Sequence, residues 1–287
     1  EAKNPIIYLC PTNVNEKINE LFFGDRVKLR KSFHTIFTSA TLTNLASEDL
    51  TKAYSYFIQN TMFPINDSIL SEVKYSPFAY DKHAKLFYTD DITSPSKDRG
   101  KFIDESIDLV KKILDISQGK ALILFTSKAD MNAVYTRLKA LNLNYTLIKQ
   151  NEISSQQQLI DKFKQDVNSV LLGTGVFWEG ISIEGIALSN LIIYKLPFPL
   201  PEPIINEKCK RSKNPLEEVL VPEMIIKLKQ GVGRLIRNKT DKGIVSIIDS
   251  RLGDKSKASY KEKVWQALPI KQRTNSLKEL QSFYDNL

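Results

Sequence analysis

The sequence predicts an α/β protein built on a parallel sheet flanked by helices, and three observations carry that prediction. Strongly apolar stretches recur at residues 121–125 (ALILF, unbroken), 170–172, 191–194 and 244–248 (IVSII), as expected of strands buried on both faces. Amphipathic helical patterns separate most of them, at the spacing of right-handed crossovers. Small, glycine-rich or proline-rich turns follow the strand ends, which is where such sheets hold their ligands.

In chain order, residues 4–10 read as a short buried strand and 15–23 as a small helix with Ile18, Leu21 and Phe22 inward. Lys28, Arg30 and Lys31 form a basic connector. Residues 33–37 read as a second strand running into Thr38-Ser39-Ala40-Thr41-Leu42, whose hydroxyls and amides suit a ligand and equally suit a plain turn. Residues 45–88 are aromatic-rich and irregular, with a strand at 86–88. A polar loop over 90–100 is broken at Ser94-Pro95-Ser96. A helix over 102–116 has Ile103, Ile107, Val110 and Leu114 on one side. Ser127 with Asp130 makes a capping box for a helix through Leu141, buried at Met131, Val134, Tyr135 and Leu138. After a strand at 145–148, Ser154 with Gln157 caps a helix that buries Leu159, Ile160 and Phe163. Helical residues around 204–209 and 216–220 lead to a further helix that follows Pro222, a good residue for a first turn.

Bulk properties bound the function. The 287 residues suffice for one large or two modest domains. Apolar content of 42% with 26% charged residues describes an ordinary globular chain. No apolar run of about 18 residues exists, so no membrane span is expected. The first residues lack a secretory signal, and the missing initiator Met predicts a fragment or a processed product. Cys10 and Cys209 stand far apart and only His34 and His83 accompany them, so no metal site is expected. Both cysteines suit core positions in a reducing, cytoplasmic setting. A net charge of +8 and a pI near 9.2 fit a surface for a polyanion.

Five stretches offer chemistry. Gln230-Gly231-Val232-Gly233-Arg234-Leu235-Ile236-Arg237 continues a stripe of Ile225, Leu228, Val232 and Leu235, which on one helical wheel gathers Gln230, Arg234 and Arg237 on the opposite face. Glycine costs about 1 kcal/mol in a helix interior, so Gly231 and Gly233 imply a close approach to the backbone or a deformed helix. An anion site and a solvated polar face both fit. Gly173-Thr174-Gly175-Val176-Phe177-Trp178-Glu179-Gly180 follows a strand and could form an anion nest, or a tight loop with Phe177 and Trp178 covering core. No stretch matches a phosphate loop ending in Gly-Lys-Ser/Thr, so the chain has no such nucleotide cradle of its own. Lys195-Leu196-Pro197-Phe198-Pro199 is stiff. It reads as a rigid surface loop or as a platform with Phe198 for base stacking and Lys195 for phosphate. Phe125-Thr126-Ser127 offers hydroxyls, although Ser127 is explained as a cap. Asp249-Ser250-Arg251 could place an ion pair on the same rim, or only a surface pair of little worth. Asp90 and Asp91 do not make a nuclease-type metal cluster.

Together these segments resemble, collinearly and over nearly the whole chain, the C-terminal half of the DinG family, the XPD-like helicases of superfamily 2. Thr38-Ser39-Ala40-Thr41-Leu42 is similar to motif III, residues 121–127 to motif IV, 173–185 to motif V, 195–199 (KLPFP) to the segment beyond it, and 227–237 (KLKQGVGRLIR) to motif VI. The resemblance implies a RecA-like sheet from about residue 101 to 287, as the second motor domain. It makes residues 1–45 the tail of the first RecA-like domain, with 46–100 as linker and peripheral elements. ATP and Mg would be held mainly by that first domain, whose Walker lysine and acid are not in this sequence. Arg234 and Arg237 would be arginine fingers, worth about 10³ to 10⁵ in rate. Gln230 and Gly233 would face the nucleotide, and Glu179 and Gly180 would link it to the DNA path. Thr126, Thr174, Lys195 and Phe198 would lie near single-stranded DNA, with Ser39, Ala40 and Thr41 coupling the two domains. Ser182 stands where the family usually has an acid. Some members of the family are 3′–5′ exonucleases, so helicase-like support of a nuclease is the alternative. A non-catalytic nucleic-acid module or a sugar-nucleotide enzyme would share this architecture.

Overall fold

The computed structural model describes residues 11, 13–24, 35–39, 41–43, 47–73, 76–151, 153–178 and 187–287. The expected strand at 4–10 and the basic connector lie outside them. Of the strand expected at 33–37, residues 35–37 are described and have no regular secondary structure. The chain divides into two compact units, Glu1–Tyr75 with Pro199–Glu223, and Ser76–Phe198 with Met224–Leu287.

The smaller unit begins with α1 (Val14–Phe23), α2 (Leu50–Ala53) and α3 (Ser55–Thr61). Its aromatic centre is built from Phe23, Phe37, Phe57 and Phe63, with Phe37 and Phe57 centroids 5.4 Å apart and Phe23 and Phe63 centroids 5.5 Å apart. This differs from the expected inward face of α1. Asn19 donates to the Met62 carbonyl and Phe23 lies one turn further on, so that stripe sets the helix rotation. Leu21 falls on the other side and is 69% exposed, while Phe22 is half-covered by an edge contact to Phe37.

The larger unit starts with α4 (Tyr80–His83) and β1 (Ala84–Tyr88), then α5 (Arg99–Ser117), β2 (Ala121–Leu124) and α6 (Lys128–Ala140). It continues through β3 (Leu147–Lys149), α7 (Gln156–Gln165), β4 (Val170–Gly173) and β5 (Asn190–Ile193). After α8 (Pro203–Arg211) in the smaller unit, α9 (Val221–Val232) leads into β6 (Gly243–Ile247), α10 (Lys261–Ala267), β7 (Arg273–Thr274) and α11 (Leu277–Asp285). The strands form one parallel seven-stranded sheet in the order β3-β4-β2-β5-β6-β1-β7. Its centre is apolar: Leu122, Ile123, Leu171, Leu172, Leu191 and Ile192 are all buried. The strand inside the stretch read as peripheral, β1, is an inner strand of this sheet, parallel to β6.

Register decides where function can sit. Leu124 is level with both Gly173 and Ile193, and Ile193 is level with Ile247. Four strands therefore end on one line, and the residues that follow them share a rim.

Three local readings are corrected. The cap of α7 is Ser155 with Gln158, a complete capping box one residue later than Ser154 with Gln157. At α6 only half of the expected box exists. Ser127 Oγ accepts from the Asp130 amide, but the Asp130 carboxylate turns to two cations instead of closing the box. The helix following Pro222 stops at Val232, so Arg234 and Arg237 lie beyond it. The wheel that put Gln230, Arg234 and Arg237 on one face therefore does not apply.

Candidate nucleotide and nucleic-acid rim

Trp178 is where three segments meet. Its ring is fully buried, and its indole N–H donates to the Phe125 carbonyl at 2.8 Å, just past the end of β2. Its own carbonyl accepts from Arg234 Nε at 3.0 Å. A Cβ on Gly231 would come 2.7 Å from the ring. The close approach that Gly231 implied is thus an indole, not an anion. Lys227, one helical turn earlier on α9, holds its ammonium 5.6 Å from the ring centroid. Two residues further on, burial pulls the Lys229 ammonium below the usual lysine range. Phe177 is also fully buried, against Gly173, so the core-covering role weighed for these two aromatics is the one observed.

Past the end of α9 the backbone turns through Gly233 and Arg234. It is then pinned by Asp241, whose carboxylate accepts from the Arg237 and Asn238 amides at 2.9 and 3.1 Å. Arg234 and Arg237 are therefore presented by a braced turn. Gln230, on the last turn of α9, is half-buried.

Next along the rim, Lys195 follows β5 and donates to Asp130 at 2.6 Å, while Arg99 reaches the other carboxylate oxygen at 2.7 Å. Asp130 is 2% exposed. Burial would push its carboxyl up, but Lys195 first and Arg99 next outweigh that and hold it below the usual range. After β6, Asp249 is completely buried; it accepts from the Leu196 amide and takes both Nε and Nη2 of Arg251, at 2.8 and 2.6 Å. The pair weighed as a surface contact is an internal brace for the KLPFP loop. Phe198 in that loop carries the Arg251 guanidinium 5.1 Å from its centroid and meets Tyr260 edge-on.

Thr126 is half-buried behind β2. Thr174 is 7% exposed, and both its amide and its hydroxyl donate to Gln150 Oε1, at 2.7 and 3.1 Å. Ser39 and Thr41 lie in the smaller unit with their hydroxyls 3.2 Å apart. Ala40, Glu179, Gly180 and Ser182 are outside the described residues. Asp130 was read in the sequence only as the cap partner of Ser127, and Gln150 and the hub role of Trp178 were not singled out. Only the sharing of a strand end by Gln150 and Thr174 hinted at one of them. Among the described residues, no group of three or more His, Cys, Asp or Glu side chains could hold a metal ion. No described helix is long and apolar enough to cross a membrane.

Residues 110–271, more than half of the chain, match the helicase C-terminal domain family. The chain belongs to that family. Within it, the chain is 31% identical to the ATP-dependent DNA helicase YoaA of Haemophilus influenzae over 98% of its own length and 41% of the relative's. It is 32% identical to the 3′–5′ exonuclease DinG of Bacillus subtilis over 97% and 29%. This helicase C-terminal domain chain thus spans well under half of these curated relatives, and the resemblance to the DinG family holds. Among solved structures it is similar to S. tokodaii Xpd4, with a TM-score of 0.52 and 16% identity over 93% of this chain and 60% of that one. That likeness concerns the fold, which is the RecA-like sheet expected.

Proposed function

We propose that this chain supplies the second motor half of an ATP-dependent DNA helicase acting in replication or repair. Residues 1–45 are then the tail of the first RecA-like domain, with Ser39, Ala40 and Thr41 in the coupling motif. That first domain is the partner, and it holds most of the ATP and Mg. The observation that carries this reading is the bond from Arg234 to the Trp178 carbonyl, one residue before Glu179. It sets motif VI directly on motif V at the rim where a nucleotide would meet the sheet. Arg234 and Arg237 act as arginine fingers, Gln230 and Gly233 face the nucleotide, and Glu179 and Gly180 connect it to the DNA. Thr126, Thr174, Lys195 and Phe198 mark the course of single-stranded DNA along the strand ends. Alone, the chain is inactive as an ATPase, and the intact protein works in the cytoplasm.

The test is DNA-stimulated ATP hydrolysis by the full-length parent carrying Arg234→Ala or Arg237→Ala. Loss of a finger lowers turnover by about 10³-fold or more, while DNA binding measured in the same preparation stays near wild type. Unchanged hydrolysis in both variants would remove the arginine-finger assignment. One observation favours a second reading: the relative named a 3′–5′ exonuclease covers nearly all of this chain. Under it, the same rim guides a DNA strand to a nuclease and hydrolysis is not coupled to unwinding. Strand separation by the full-length parent decides between the two.

A further inference from the structure

We infer that Gln150 donates a hydrogen bond to the nucleic-acid backbone and that Thr174 serves as its anchor, an inference that rests on the nucleic-acid reading of the rim. Donor and acceptor inventories fix how the two side chains meet. Thr174 N–H can only donate, and it reaches the Gln150 side-chain amide at 2.7 Å. The Gln150 atom facing it is therefore the oxygen, which fixes the orientation of the amide without ambiguity. The Thr174 hydroxyl gives its one proton to the same oxygen, at 3.1 Å. A phosphate oxygen at neutral pH brings no proton of its own, so it needs donors. Both donors of Thr174 are already spent, and its side chain is nearly closed off from solvent.

Of the Gln150–Thr174 pair, the donor that remains is the Gln150 Nε2 amino group, turned away from Thr174. Its backbone is equally fixed. The Gln150 amide donates to the Leu172 carbonyl at 2.9 Å, which extends the β3–β4 pairing by one residue and brings Gln150 to the rim. A half-buried amide clamped at its oxygen end loses little rotamer freedom when its nitrogen end binds, so its bond to a phosphate is pre-organised. Because the group is neutral, it adds affinity without releasing a counterion of its own.

The test uses the full-length parent and a fluorescein-labelled oligothymidylate in titrations at several salt concentrations. Gln150→Glu keeps an acceptor for both Thr174 donors but has no N–H to offer. Gln150→Ala removes both ends. Each variant should bind about tenfold more weakly than wild type, the scale of one lost bond to a charged group. The Ala variant should keep the wild-type salt slope. If Gln150→Glu binds like wild type while Gln150→Ala does not, Gln150 only holds Thr174 and the inference is overturned. Equal binding by both variants and wild type also overturns it. A wild-type protein that fails to bind the oligonucleotide at all would instead defeat the nucleic-acid reading of the rim. Thermal melting of the Glu variant, near isosteric with wild type, separates loss of contact from loss of fold.

Discussion

Single residues carry much of what is specific here, and Gly231 is the clearest case. Replacing a helix-interior glycine by alanine would ordinarily gain about 1 kcal/mol. At this position the added methyl would sit 2.7 Å from a Trp178 ring that is fully buried and tied at its indole nitrogen. Overpacking of that kind costs about 1 to 3 kcal/mol, so Gly231→Ala is expected to lower the denaturant midpoint with an unchanged slope. A higher midpoint would mean that the indole can yield. The sequence made the glycine conspicuous through its helical cost, but it could not say what approached. Trp178 lies 53 residues earlier and meets Gly231 only because the turn after β4 comes against the last turn of α9. Gln150 was hidden for the same reason: nothing local distinguishes a glutamine that faces solvent from one that clamps a threonine just past the end of the neighbouring strand.

At the scale of elements, the strands were legible because burial on both faces leaves an unbroken apolar run, and the main helices because their stripes are long. Legibility failed at ends. The α9 stripe continues through Leu235, yet the helix stops at Val232, where Gly233 and the Asp241-pinned turn take over. The α6 cap failed more instructively. A carboxylate three residues after a serine signals a box, but Asp130 is drawn to Lys195 and Arg99, which no helical pattern could show. Asp130 thereby links α6 to the loop after β5 and to the start of α5. Asp130→Asn is expected to destabilise the larger unit by about 2 kcal/mol, below the usual toll for a buried pair because both cations are partly exposed. The sign of its pH dependence follows from the lowered carboxyl. The stabilisation is complete above the unfolded-state value of about 4 and is lost as pH falls from there through the folded-state value. Unfolding free energies of wild type and Asp130→Asn should therefore converge below about pH 4. A gap that persists there would assign the effect to packing.

For the whole molecule, the level strand ends explain how segments far apart in sequence act together. Residues after β2, β4, β5 and β6 reach one rim because the sheet is parallel and in register, and parallelism was readable from the run-and-helix alternation. The small unit was not readable, since its aromatic centre has no period and the unit itself draws on two separated stretches of chain. The net charge of +8 belongs to this scale too. Binding of an oligothymidylate to the isolated chain should be weak. It should also fall steeply between low and physiological salt, by about 0.7 in log-log slope for each phosphate neutralised. Binding that is indifferent to salt would exclude backbone phosphates as the main contact.

The position of Trp178 also makes the molecule its own optical reporter. The chain has two tryptophans, and one of them hands its carbonyl to Arg234 and stacks its ring under Lys227. A γ-phosphate that drew Arg234 away would alter the charges around a buried indole whose emission depends on them. With Trp265 replaced by Phe, the light from the remaining indole would follow the arginine from a distance of one hydrogen bond.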